Sequence, residues 1–265
     1  MNQRAAHSAV WIPRVYYRSR AINIFTLIFC LISFIPTVNS AAQPSLTLTT
    51  FAGPPLSNND QTGFYDLVLK EAFHRAGVAI DISQLPAERS LINANDGITD
   101  GDFVRIAGLD SVYPNLLRIP EKIADFEFVG FSRNVSISTP GWKSLQPYDV
   151  AIVRGWKILE KNIVGSRSLV RTKDQRLLFT LLEKNRADIV VYSRFEGYGI
   201  ISQLGMKGVH VLEPPLAVRE MFLYLNRKHQ ALVPVIANHL KEMKRDGTYA
   251  AIKEKTLAPF LFRND

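Results

Sequence analysis

Residues that carry covalent or metal chemistry are scarce in this chain. Cys30 is the only cysteine among 265 residues, so an internal disulfide is excluded and a thiol nucleophile has a single possible position. Past residue 42 the histidines are His74, His210, His229 and His239, and none is paired at the spacing a metal site needs. No Gly-x-Ser-x-Gly elbow occurs. The strand-to-helix turn Arg154-Gly155-Trp156 lacks the Gly-Lys-Ser/Thr ending of a nucleotide-binding loop. No run of lysine and arginine, and no repeated basic-aromatic interleaving, points to nucleic acid. Internal repeats and low-complexity linkers are absent too. Glu127 and Glu196 are available as acids, but nothing singles them out. The sequence therefore indicates no catalytic residue, no metal ligand and no cofactor.

What is present begins with an export pattern. Arg4, Arg14, Arg18 and Arg20 stand without any acid in the first 20 residues. Ala21 to Val38 carries no charge, and Ser40-Ala41-Ala42 supplies small residues at its exit. A positive start, an apolar stretch and a small-residue end make a secretory signal peptide over 1–42, cleaved after Ser40 or Ala42. The basic start is long, so an uncleaved membrane anchor is the alternative; the apolar run is near the minimum for spanning. Phe29 before Cys30 is wrong for lipoprotein processing. Removing the leader removes the cysteine, which fits an exported bacterial domain that relies on its core. It also takes four of the 32 basic residues, leaving 28 against 24 acidic and a net charge of +4, ordinary solubility charge spread along the chain. With 47% hydrophobic and 21% charged residues, the chain can bury a substantial core.

Along the mature part, Leu46 to Phe51 alternates like a strand, and Ala52-Gly53-Pro54-Pro55 is a loop. Gly63 to Ala76 reads as an amphipathic helix with Phe64, Leu67, Val68 and Ala72 on one face, and Val78 to Ile82 as a strand. Pro86 to Arg105 reads as a helix buried through Leu91, Ile92 and Ala94, a stop at Asn95-Asp96-Gly97, and a strand from Phe103. This brings Arg89 and Arg105 toward one edge of a sheet. Phe126 to Phe131 and Asp149 to Val153 are strands. Arg154-Gly155-Trp156 then opens a helix whose free amides and dipole can attract an anion. Asp174 caps a helix to Asn185 with Leu177, Leu178, Leu181 and Leu182 as its core stripe. Asp188 to Tyr192 and Val209 to Val211 are strands. Pro214-Pro215 is a rigid connector before a strand at Met221 to Leu225. Gln230 to Asp246 and Tyr249 to Lys255 are helices. Alternation at this spacing predicts βαβ units in an α/β fold.

The order of Pro-Ala-Glu-Arg, Ala-Asn-Asp-Gly and Asp-Gly within 86–105, with Tyr113-Pro114-Asn115-Leu116 and the strand Phe126–Ser132, resembles the bacterial periplasmic solute-binding proteins of family 3. These are the amino-acid-type binding proteins of ABC importers, and the likeness is greatest to their less characterised relatives. It covers about 43–265 and implies a two-lobed α/β fold, each lobe a mixed sheet flanked by helices. Lobe one would comprise 43–132, lobe two 133–215, and 216–265 would return to lobe one. It also implies a monomer that binds a small molecule between the lobes, possible partnership with an inner-membrane permease, and a periplasmic location.

In amino-acid binders of this family an acid holds the ligand's ammonium where this chain has Ser193, with Glu196 nearby as a substitute. A lobe-one arginine falls at Ser111. Both departures argue against a common α-amino acid. The expected ligand is anionic or carboxylate-bearing, held by Arg89 or Arg105 and by Arg154 with the Gly155 and Trp156 amides. Phe51, Trp156 and Tyr192 would form aromatic walls, and Ser193 and Glu196 would complete the site. An ion pair between Arg89 and Glu88 is the competing structural role for that arginine. An enzyme on the same fold, such as a periplasmic dehydratase, and a membrane-anchored sensor are the alternative functions.

Overall fold

A computed structural model describes residues 45–261, with Trp11, Pro13 and Arg14 alone ahead of them. The leader, its cleavage site and Cys30 lie outside the described residues. The chain divides into residues 1–42 and 43–265, and the second unit is mixed α/β.

Three parallel strands open it: β1 (Ser45–Thr50) pairs on one side with β2 (Ala79–Gln84) and on the other with β3 (Gly101–Arg105). Helix α1 (Phe64–Arg75) buries Phe64, Val68, Leu69, Ala72 and Phe73 on one face of this sheet. Its start is tied down by Asp66, whose carboxylate accepts from the Ser57 hydroxyl (2.7 Å) and the Asn58 and Gly63 amides (both 3.0 Å). Helix α2 (Ala87–Asn95) packs on the other face through Leu91 and Ala94, and Gly97 ends the turn after it at φ +75°. Ile92, expected inside, is exposed because the stripe on this short helix is only two residues wide.

The remaining strands are β4 (Leu116–Arg118), β5 (Ala124–Ser132), β6 (Asp149–Val153), β7 (Ser168–Thr172), β8 (Ile189–Ser193) and β9 (His210–Asn226). In the second half β6 lies parallel between β7 and β8, and β5 runs antiparallel to β8. Helices α3 (Lys157–Asn162), α4 (Gln175–Glu183) and α5 (Arg194–Leu204) connect or follow these strands. Asp174 caps α4 as expected, accepting from the Leu177 amide at 2.8 Å. The buried stripe of α4 is Leu178, Phe179 and Leu182, whereas Leu177 faces solvent. Helices α6 (Leu232–Arg245) and α7 (Thr248–Leu261) return to α1, and α7 is longer than the sequence predicts.

The strand order is β2-β1-β3-β9-β5-β8-β6-β7, with β4 beside β9. Strand β9 joins the halves: its first part pairs with β5, its last part with β3 and β4. The sequence suggests two short strands separated by Pro214-Pro215. One strand forms instead, because the β5 pairing skips from Leu212 opposite Gly130 to Ala217 opposite Phe128. The prolines fall in that gap, where no amide is asked to donate. Among the described residues no helix is long and apolar enough to cross a membrane.

Candidate ligand-binding cleft

The carboxyl ends of β1 and β3 carry Phe51 and Arg105. Strand β3 does not end straight. Val104 sits at φ +65°, a strained position for a β-branched residue, and the register slips there, so that Arg105 rather than Val104 faces Phe222. A bulge of this kind re-aims the side chain that follows. Arg105 is consequently turned inward. Its Nε donates to the buried Asp102 carboxylate at 2.5 Å, its Nη2 to the Ala87 carbonyl at 2.8 Å, and its guanidinium lies 4.7 Å from the centre of the Phe51 ring. Burial pushes the Asp102 carboxyl up, against the pull of Arg105 and the Ser90 hydroxyl. The bond to Ala87 brings Arg105 to the start of α2, two residues from Arg89, as the helix-turn-strand pattern suggests.

Arg89 itself is exposed and forms no ion pair among the described residues. Glu88 instead accepts from the Tyr113 hydroxyl at 3.3 Å. The structural ion pair expected of Arg89 thus belongs to Arg105.

In the second half, Trp156 follows β6 and stacks on Tyr192 at the end of β8, with ring centres 4.6 Å apart and planes 18° from parallel. Phe126 and Phe128 of β5 flank the indole at 6.1 and 5.7 Å. These side chains meet because β5, β6 and β8 all present their ends here. Arg154 is exposed and unpaired among the described residues. Gly155 takes φ +91°, and its amide donates to Glu160 Oε1 at 3.0 Å. The proposed anion cradle is therefore occupied by the chain's own carboxylate, and α3 is a helix of six residues only.

Ser193 and Glu196 meet at the start of α5. Glu196 is 5% exposed. Its Oε2 accepts from the Ser193 hydroxyl at 2.6 Å, and its Oε1 from the Gly53 amide, across the halves, at 2.8 Å. No cation pairs with it among the described residues. Burial raises its carboxyl above the usual range, against the two bonds. Tyr65 of α1 and Tyr192 are close enough for its charge to push their phenols up further, burial being the larger cause for both.

Several participants were not legible as such. Arg194 clamps both linking strands, donating to Glu127 of β5 and to the Glu213 carboxylate of β9 at 2.7 and 3.0 Å. The Cβ of any residue replacing Gly199 would lie 2.7 Å from the Pro54 carbonyl, so α5 of one half touches the loop of the other. A groove of about 910 Å³ runs beside this contact, lined by Pro54, Pro55, Gly63, Gly199, Gln203 and Lys255. The only sequence signal was Ser-x-x-Glu at 193–196, the pattern of a capped helix start.

No family model matches the sequence. An uncharacterised protein of Shewanella oneidensis is 23% identical over 234 residues, 85% of this chain and 87% of that one. Among solved structures, a histidine kinase sensor domain with similarity to periplasmic binding proteins superposes at a TM-score of 0.65. It is 17% identical, and the match covers 80% of this chain and 96% of that one. The substrate-binding protein of an amino acid ABC transporter superposes at 0.62 with 16% identity, over 81% of this chain and 99% of that one. The fold is that of the two-lobed periplasmic binding proteins.

Proposed function

We propose that this protein captures a small solute between its two lobes outside the cytoplasm and does not transform it. The observation that carries this reading is the gathering of side chains at the strand ends of each half, Phe51 with Arg105 in one and Trp156 with Tyr192 in the other, joined by the Gly53–Glu196 contact. Residues 43–132 and 216–265 would make lobe one and 133–215 lobe two, with β5 and β9 as the hinge. The stacked aromatic walls suit a ligand with a flat or apolar portion. Arg89 and Arg154, unpaired on the two sides, suit an acidic group, since guanidinium pairs a carboxylate in bidentate fashion. The amide of Gly155 is not counted in this site, because Glu160 already holds it.

Delivery to an ABC permease is the role this reading favours. A membrane-anchored sensor is the second reading, favoured by the likeness to a histidine kinase sensor domain. N-terminal sequencing separates them: a chain beginning at Ala41 or Gln43 in the periplasm fits delivery, whereas Met1 retained in the membrane fraction fits the sensor. A thermal-shift screen with small carboxylates, followed by calorimetry, tests the site. Arg154→Ala should cost about 2–5 kcal/mol of binding. A tightly bound cationic ligand, or conversion of the ligand, would defeat the proposal.

A further inference from the structure

A buried carboxylate without a cation needs a reason, because burial of an unpaired charge is costly. Glu196 spends both oxygens on hydrogen bonds, one within its own half from Ser193 and one from Gly53 of the other half. Its neighbours in the helix serve the same junction. Two residues before it, Arg194 holds one carboxylate from each linking strand, Glu127 and Glu213. Three residues after it, Gly199 lets α5 lie against the Pro54 carbonyl, where a Cβ would stand at 2.7 Å. One helix thus grips the hinge and the opposing loop at once.

We propose that the first turns of α5 form a latch that draws the two halves together without ligand, with Glu196 as its bolt and Arg194 as its anchor on the hinge. Glu196 is then a positioning residue that sets how much of the unliganded protein is already closed, and not the group that receives the ligand's charge. A pre-closed population raises apparent affinity by the fraction it occupies. The inference rests on the two-lobed reading but needs no ligand for its test.

Hydrogen exchange of the purified chain, unliganded, reads the latch at the Gly53 amide. The segment 52–56 is well suited, because Pro54 and Pro55 carry no amide and only Ala52, Gly53 and Leu56 report. The Gly53 amide should exchange at least tenfold faster in Glu196→Ala than in the native chain. Glu196→Gln should behave as the native chain, since its amide can donate to Ser193 and its carbonyl oxygen can accept from Gly53. Gly199→Ala, which leaves Glu196 in place, should also speed exchange by forcing α5 from the loop. If Glu196→Ala unfolds, seen as faster exchange throughout the core, Gly199→Ala decides the matter. Native-like exchange at Gly53 in Gly199→Ala, or in a folded Glu196→Ala, overturns the latch. Absence of any small-molecule ligand would defeat the solute-binding reading and leave these exchange rates unaffected.

Discussion

Arg105 and Arg154 look alike in sequence, each an arginine at the end of a strand, yet their surroundings give them different physical roles. Arg105 neutralises Asp102, which is fully buried, and covers Phe51. Removing it leaves a carboxylate in the core with no cation, held by the Ser90 hydroxyl and the Phe103 amide alone among the described residues. Arg105→Ala should therefore destabilise the protein by about 3–5 kcal/mol, the usual result of breaking a buried pair on one side. Urea denaturation should show this, and Asp102→Asn in the same background should recover part of the loss. Arg154→Ala, at an exposed site without an ion pair, should stay within about 0.5 kcal/mol of the native stability. A stability loss of similar size for both would mean that Arg154 is structural. The motif between Pro86 and Arg105 was legible in sequence as a place where charges gather. Which charge would pair with which was not, because the bulge at Val104 decides where Arg105 points, and no single residue type announces a bulge.

Elements differ in the same way in how much of them the chain reveals. Helices α1 and α6 carry wide apolar stripes and are each followed by a glycine at positive φ, Gly77 and Gly247, and the sequence locates both. Strand β7 gives little signal, because most of its residues are exposed or half-buried. Helix α5 was missed for a physical reason: Gly197 and Gly199 lower helix propensity, yet both are needed where they stand. A Cβ at 197 would enter the Phe131 ring at 2.2 Å, and one at 199 would meet the Pro54 carbonyl. Packing between elements overrides local preference there.

Element ends also set the response to acid. Asp100, between α2 and β3, accepts from the Thr47 amide (2.8 Å), Lys228 (2.8 Å) and His229 (2.7 Å), tying β1 to the end of β9. Burial pushes its carboxyl up, but the bonds from Lys228, His229 and Thr47 outweigh that and hold it below the usual range. A carboxyl depressed in the folded state contributes stability above its unfolded pKa, about 3.9, and loses it as pH falls toward the folded value. The raised carboxyls of Glu196 and Asp102 have the opposite sign: their contribution is present at low pH and lost as pH rises through their folded values. Thermal unfolding followed from pH 6 to pH 3 should therefore show Asp100→Asn with a flatter acid limb than the native chain, and Glu196→Gln with a steeper one. Parallel curves for all three proteins would show that neither group is linked to folding.

At the scale of the whole molecule, the two halves are joined by β5 and β9, and β9 alone runs 17 residues through both. Two strands with a pairing gap opposite Glu213 to Leu216 can bend without breaking the ladders on either side. Ligand binding between the halves should act by mass action on the folded state: at 100 times Kd it adds about 2.7 kcal/mol. For a domain of this size each kcal/mol moves Tm by about 2–4 °C, so a saturating ligand should raise Tm by roughly 5–10 °C. The latch makes a further distinction. If α5 already holds part of the population closed, small-angle scattering should show modest compaction of the native chain on ligand addition and a larger change in Glu196→Ala. The affinity of Glu196→Ala should fall by the factor through which its closed population falls, while the ligand-saturated forms of the two proteins reach the same radius of gyration. A rise in Tm without compaction in either protein would mean that the solute binds one half alone, and the interlobe site would then be wrong even though binding is real.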